Sequence, residues 1–253
     1  MAFNTLKHTM VESEDGSFTA YSSEFEEHYH STRDGALHES LYKHVIPAFE
    51  HQKERESLTI LDICFGLGFN TLATLYYMKE HNISKKIRIY SPEFDADLIA
   101  SLKDFKYPDI FKPFLPVIEA LSTTGVYEDE SVYIELYIGD AREFLKETEI
   151  SFDVVYQDAF SPSSNPILWT KEYFEDISLL MKDDGILTTY SMALKTRLAL
   201  YENGFKLYLN QGEQYRDATV ASKMHLDRFP LVNMEHKIAC NPTVLSLRDD
   251  MLK

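Results

Sequence analysis

Hydrophobic positions along this chain alternate between two periods. Between Ala36 and Phe49, Leu37, Leu41, Val45 and Ile46 recur at helical spacing and stop at the polar run HQKERES, which predicts a helix. The run LTILDICFG that follows is nearly all apolar and breaks at Gly66 and Gly68, as a buried strand does at a tight turn; NTLATLYYMKEH, with Leu72, Leu75, Tyr76 and Met78, then predicts a helix. The unit recurs. IRIYSPEF predicts a second strand and DADLIASLKDF its helix, and PVIEALSTTG a short helix after a proline-punctuated stretch from Tyr107 to Pro116. SVYIELYIGDA, FDVVYQDAF and GILTTYS predict the third, fourth and fifth strands, with AREFLKE and WTKEYFEDISLLMK as helices between them. FKLYLNQGE and ATVASKM predict two further strands as an antiparallel edge pair, and residues 1–35 predict short strands or irregular structure. This alternation predicts an α/β fold: a doubly wound, Rossmann-like sheet, mostly parallel with an antiparallel edge, carrying its ligands at the carboxyl ends of the strands. The 253 residues, 44% of them hydrophobic, predict one domain spanning 1–253, with 1–35 as an N-terminal extension and 36–253 as the core.

Composition narrows the setting. No stretch reaches the roughly 18 consecutive apolar residues of a membrane span, and the first residues lack both a basic and an apolar leader segment, so the expectation is a cytoplasmic protein. Two cysteines, Cys64 and Cys240, are too few for a disulfide framework, and neither belongs to a CxxC pair that would suggest zinc or redox chemistry. His28 and His30 form an H-x-H pair, with His38 and His44 beyond, but no cysteine or carboxylate cluster completes a ligand set; the expectation is solvated histidines and no metal. The formal charge of -16 repels polyanions. Between Lys195 and Arg228, six cationic residues (Lys195, Arg197, Lys206, Arg216, Lys223 and Arg228) face four acidic ones, so a local basic face is one reading and scattered solvated cations the plainer one.

Chemistry gathers at the predicted strand ends. Asp62-Ile63-Cys64-Phe65-Gly66-Leu67-Gly68-Phe69-Asn70 is a strand-turn-helix in which glycines let backbone amides approach a ligand and the acid accepts hydrogen bonds. Glu93, roughly thirty residues on, ends the second strand, where a carboxylate binds both hydroxyls of a ribose. Asp140 ends the third, in position to accept a bond from an exocyclic adenine amine; singly, each of these two acids also reads as a helix N-cap. A dinucleotide is the competing ligand, and the third-strand Gly-Asp favours S-adenosylmethionine. No phosphate-binding lysine follows the glycines, which excludes a P-loop. The fourth strand runs into Asp158-Ala159-Phe160-Ser161-Pro162-Ser163-Ser164-Asn165-Pro166-Ile167-Leu168-Trp169. Asp158 there has the chemistry to accept an amine N–H and orient its lone pair, Phe160 to stack on a base, and Trp169 to fill the core.

In this order, DxxFGxGFN, the Gly-Asp and DAFSPxxNPxxW resemble the tRNA 5-methylaminomethyl-2-thiouridine methyltransferases, the methyltransferase half of the bifunctional MnmC enzyme. The resemblance runs from about Tyr21 to Gly204 and includes Glu26-Glu27-His28-Tyr29-His30-Ser31 and Gly35-Ala36-Leu37-His38-Glu39-Ser40. It implies a class I S-adenosylmethionine-dependent methyltransferase that methylates the aminomethyl group on carbon 5 of a tRNA wobble uridine. By position it implies cofactor contacts from Tyr29, Glu39, Asp62, Gly66, Gly68, Asn70, Glu93, Asp140 and Asp158, with Asp158 and Phe160 facing the transferred methyl and the acceptor. The chain departs from the family at Cys64, which stands where the family has its first glycine and narrows that turn. No second dinucleotide-binding glycine motif occurs, so the flavin-dependent half is expected to be absent. Two alternatives keep their place: a small-molecule amine methyltransferase or polyamine aminopropyltransferase of the same fold, and a nucleoside-binding protein without catalysis.

Overall fold

A computed structural model describes Phe3, residues 6–213 and residues 215–252. Three short strands open the chain, β1 (His8–Glu12), β2 (Phe18–Ser22) and β3 (Glu27–His28), as an antiparallel sheet in that order. The main sheet comprises β4 (Ser57–Ile63), β5 (Lys86–Glu93), β6 (Val126–Glu128), β7 (Val132–Ile138), β8 (Phe152–Gln157), β9 (Met181–Thr189), β10 (Lys206–Asn210) and β11 (Ala218–Ser222). Its order is β10-β11-β9-β8-β4-β5-β7-β6. The pairs β4/β5, β4/β8, β5/β7 and β8/β9 are parallel; β6/β7, β9/β11 and β10/β11 are antiparallel. β8 is buried along its whole length and β4 over nearly all of it, as the unbroken apolar runs require of strands covered on both faces. From β4 the chain winds to β5 on one side and later returns to β8 on the other, which opens a crevice at their carboxyl ends.

The helices are α1 (Ala36–Glu39), a π-helical stretch Ser40–Val45, α2 (Ile46–His51), α3 (Phe69–Glu80), α4 (Ala96–Ser101), α5 (Leu115–Thr124), α6 (Ala141–Glu147), α7 (Lys171–Leu180), α8 (Leu194–Glu202) and α9 (Met234–Cys240). The helix expected over 36–49 therefore carries a π segment in its middle, a wider turn that re-aims the side chains beyond it. Three elements escaped the sequence pattern. β6 is too short to show an alternation. In α8 five consecutive residues, Thr196 to Leu200, are buried, so no one-sided stripe exists; α9 buries only Met234. Met181 and Lys182, read from the sequence as the end of a helix, begin β9, and a register shift against Phe152 and Val154 absorbs the additional residues.

One apolar cluster fills each face of the sheet. The first joins Ile60, Phe69 and Leu72 to Phe3, Ala20 and Phe105, so the N-terminal strands share a core with the main sheet. The second surrounds the fully buried Trp169 and Tyr173. Gly68 starts α3 in the left-handed region, at φ 75°, and a Cβ there would stand 2.9 Å from the Phe65 ring. Gly68→Ala is accordingly expected to cost about 2 kcal/mol, the left-handed strain plus the displaced ring, read as a lowered midpoint in urea. Among the described residues no helix is long and apolar enough to cross a membrane.

Candidate functional site

A cavity of about 600 Å³ opens at the carboxyl ends of the parallel strands and is roofed by the residues around β3. Its first wall is the turn after β4. Cys64, Gly66 and Gly68 all have positive φ there, 63°, 54° and 75°, so a non-glycine residue sits in the left-handed region at the position of the departure noted above. The turn is held open by Glu93: its Oε2 accepts the Gly66 amide at 2.8 Å and its Oε1 the Asp95 amide at 2.9 Å. Burial pushes the Glu93 carboxyl above its usual range, against the lowering effect of those amides. Gly66 also lies against the Tyr29 ring, where a Cβ would approach to 3.0 Å. Tyr29 is fixed by a hydrogen bond between its hydroxyl and His8 Nε2 at 2.9 Å, and burial raises its phenol far above the usual value. Asp140 caps α6 by accepting the Arg142 amide at 2.7 Å and borders the same cavity.

The opposite wall is the loop after β8, and it is tied at every turn. Tyr190 donates its hydroxyl to the Ala159 carbonyl at 2.9 Å, and Trp169 Nε1 donates to the Phe160 carbonyl at 2.7 Å. The Ser161 amide donates to Glu27 Oε2 at 3.0 Å, which fastens the loop to β3. Phe160 is thereby presented to Phe25 and Tyr29, stacked on the first at 4.7 Å and tilted against the second at 4.9 Å. Asp158, with only 7% of its side chain exposed, accepts Asn70 Nδ2 at 2.9 Å on Oδ2 and has His44 Nε2 at 3.4 Å from Oδ1. Burial alone would raise this carboxyl; His44, His30 and Asn70 outweigh it and hold Asp158 below the usual range, so it stands ionised.

Of the residues singled out from the sequence, Tyr29, Glu39, Gly66, Asn70, Glu93, Asp140, Asp158 and Phe160 border this one cavity. Asp62 and Gly68 do not. Asp62 is fully buried behind the wall, accepting Asn70 Nδ2 and Thr71 Oγ1, each at 3.2 Å. It orients Asn70 instead of facing the cavity. Burial is the main cause that pushes its carboxyl up to about 7. A carboxyl with a raised folded pKa costs stability as pH climbs, because the unfolded chain ionises above about 4 while the folded one resists until about 7. Relative to Asp62→Asn, the unfolding free energy of the wild type is expected to fall by about 2 kcal/mol between pH 5 and 6.5. Urea titrations of both proteins at the two pH values check this, and a constant difference between them would show Asp62 titrating alike in both states.

His28 is exposed, in keeping with the expectation of solvated histidines, but two others depart from it. His30 and His44 are buried, not solvated, and both face Asp158 electrostatically. Burial lowers the His30 imidazole, against the raising influence of Asp158 and Glu39. Lys43, also buried, donates to Glu39 Oε1 at 2.6 Å and Asp34 Oδ2 at 3.1 Å, while Glu39 Oε2 accepts the Ser31 amide. The i, i+4 spacing of Glu39 and Lys43 is the one sequence signal that could have revealed this pair. Among the described residues no group of three His, Cys, Asp or Glu converges as a metal ion requires. The cations from Lys195 to Arg228 do not form one face. Arg197 is buried against Thr219, and Lys223 donates to the Ser178 and Met181 carbonyls at the far end of β9; Arg216, at the cavity mouth, pairs with Asp34.

Comparison with known proteins bears on this arrangement. A family profile described as S-adenosyl-L-methionine-dependent methyltransferase matches residues 109–224. The crystal structure of MNMC2 from Aquifex aeolicus superposes with a TM-score of 0.85 at 32% identity, covering 100% of this chain and 83% of that one. The chain belongs to the MnmC-like methyltransferase family. It is an S-adenosylmethionine-dependent methyltransferase of class I fold, and S-adenosylmethionine is its cofactor. Other family relatives include an uncharacterized protein of Methanocaldococcus jannaschii, 32% identical over 97% of this chain and 68% of that protein. The bifunctional tRNA 5-methylaminomethyl-2-thiouridine biosynthesis protein MnmC of an Azoarcus species is 31% identical over 77% of this chain; the match covers 32% of that protein's length.

The MnmC-like cavity fits its cofactor on its own evidence. Asn70 Oδ1 is buried at the wall without a hydrogen-bond partner among the described residues, an acceptor left for a donor or a positive charge. Glu93 accepts the Gly66 and Asp95 amides, with the Phe94 backbone also acting on its carboxylate, and keeps acceptor capacity at the cavity for a hydroxyl.

Proposed function

We propose that this chain methylates the 5-aminomethyl group of a tRNA wobble uridine, giving 5-methylaminomethyluridine or its 2-thio form. In this reading the whole chain, 1–253, works as one methyltransferase domain in the cytoplasm. The observation that carries it is Asp158: a buried carboxylate held ionised at the meeting point of the cofactor wall and an aromatic wall.

Tyr29, Glu39, Gly66, Asn70, Glu93 and Asp140 would hold the cofactor, which when bound supplies a methyl carbon on a cationic sulfur with a neutral leaving group. Little acid-base machinery is needed beyond an unprotonated, well-aimed amine. Asp158 accepts an amine N–H and turns the nitrogen lone pair toward the methyl; Asn70 prevents the carboxylate from rotating away. Phe160 offers its ring to the pyrimidine, and the bonds from Tyr190 and Trp169 keep that ring in place. Relatives named for tRNA 5-methylaminomethyl-2-thiouridine biosynthesis support the choice of acceptor.

The test is to incubate the protein with methyl-labelled S-adenosylmethionine and bulk tRNA from cells lacking this gene, digest the tRNA and identify labelled nucleosides by mass spectrometry. Label in methylaminomethyluridine is expected. No labelled nucleoside, with cofactor binding demonstrated, would sink the tRNA reading. A second reading, a small cationic amine as acceptor, is favoured by the carboxylates of Glu27, Glu39, Glu93, Asp140 and Asp158 around one cavity; diamines and polyamines in the same assay test it.

A further inference from the structure

His44 is fully buried, lies outside the cavity lining and is delivered by the π-helical stretch Ser40–Val45. Its Nδ1 is 2.9 Å from Thr188 Oγ1 on β9, while Nε2 is 3.4 Å from Asp158 Oδ1 without completing a hydrogen bond. An imidazole is rarely buried with one nitrogen directed at a carboxylate and left unbonded. The ring comes from within the π segment itself, a wide-turn feature frequent at functional sites.

We propose that His44 is the positioning partner of Asp158 and the resting place of the proton that the acceptor amine must lose before methyl transfer. The inference rests on an amine acceptor as read above. Holding that proton requires the resting ring to carry its own proton on Nδ1, donated to Thr188 Oγ1, with the Nε2 lone pair left free on the Asp158 side. The primary ammonium of the acceptor docks on the Asp158 carboxylate and gives up one proton, which passes through that carboxylate to Nε2. The products are a neutral amine and an imidazolium beside a carboxylate. The amine nitrogen then forms its bond to the methyl carbon as the carbon–sulfur bond breaks and its electron pair stays on sulfur. The methylated product leaves as a secondary ammonium, and His44 returns its proton to solvent. Atoms and charge balance without any further reactant.

Every titratable group around the ring fits this role. Asp158 faces it after β8, and Asp62 from β4 lies within electrostatic range. His30, following β3, adds a second buried imidazole, and Tyr156 packs edge-on at 5.7 Å with a phenol that burial raises well beyond physiological pH. On its own helix, Lys43 is neutralised by Glu39 and Asp34. His44 is therefore the imidazole in direct reach of Asp158 among the described residues.

The experiment compares wild type with His44→Asn and His44→Gln, both able to hydrogen-bond and neither able to store the proton. Single-turnover methyl transfer to aminomethyluridine-containing tRNA is measured from pH 6.5 to 9.5, together with the Kd for S-adenosylmethionine. The variants are expected to lose about 100-fold in rate at pH 7. They should regain most of it near pH 9.5, as the acceptor approaches its own pKa of about 10 by analogy with lysine, with cofactor affinity within 3-fold of wild type. A loss equal at every pH, or one shared with cofactor binding, would reduce His44 to a packing residue and overturn the proposal. Independently of turnover, ¹⁵N NMR of the resting protein is expected to show an unprotonated Nε2 on neutral His44; a neutral ring with its proton on Nε2 also overturns it. Wild type that labels no aminomethyluridine at any pH would instead sink the acceptor reading, and the NMR result remains to judge His44.

Discussion

Asp158→Asn is expected to lower the methyl-transfer rate about 1,000-fold while leaving the Kd for S-adenosylmethionine within a few-fold of wild type. The substitution keeps shape and most hydrogen-bonding capacity, so Asn70 and the loop after β8 retain their places. What it removes is the charge. On the proposed reading, an acceptor ammonium would then lack the group that orients it and takes its proton, and the fraction of neutral amine near pH 7 would become very small. Rapid-quench single turnover and isothermal titration separate the two quantities. Equal losses in rate and affinity would assign Asp158 to the cofactor wall or to folding.

Glu93→Ala has the reverse signature: a Kd for the cofactor raised at least about 100-fold, near 3 kcal/mol, with single-turnover rate at saturation changed only a few-fold. The carboxylate accepts the Gly66 and Asp95 amides at once and lines the cavity with its remaining lone pairs. Alanine releases both amides and lets the turn after β4 relax, so the cofactor loses a direct partner and a preformed wall together. Glu93→Gln, which fills the same space and accepts one amide, is expected to fall between the two, at about 10-fold. Thermal unfolding of each variant shows whether the turn survives. An unchanged affinity in a folded Glu93→Ala protein would make this residue a brace and nothing more.

Much of the site was legible because it is local. Glu93, Asp140 and Asp158 each follow an apolar run that forms a parallel strand, and the carboxyl ends of such strands meet on one side of the sheet whatever the details of packing. The motif around Gly66 was legible for the same reason, but motif position does not say which side chains look outward. Asp62 and Gly68 sit within it and behind the wall, where one orients Asn70 and the other starts α3. His44 was illegible. Thr188, which holds its ring, is 144 positions away, and the π turn that aims it has no period of its own. Charge was equally ambiguous. The segment Lys195–Arg228 reads as basic, yet Arg197 is buried and Lys223 is bound to carbonyls at the far end of β9.

The sequence by itself determined the strand-helix alternation, the mostly parallel sheet and the acids at its strand ends, because each follows from short-range hydrophobic periodicity and glycine placement. Tertiary structure alone decided that α8 packs despite lacking an apolar stripe, and that the segment after β3 closes over the sheet. It also decided that Asn70, His30 and His44 converge on Asp158. Those facts depend on contacts between distant segments, and burial there reverses what composition suggests: a histidine that reads as solvated becomes, once desolvated beside a carboxylate, part of the site.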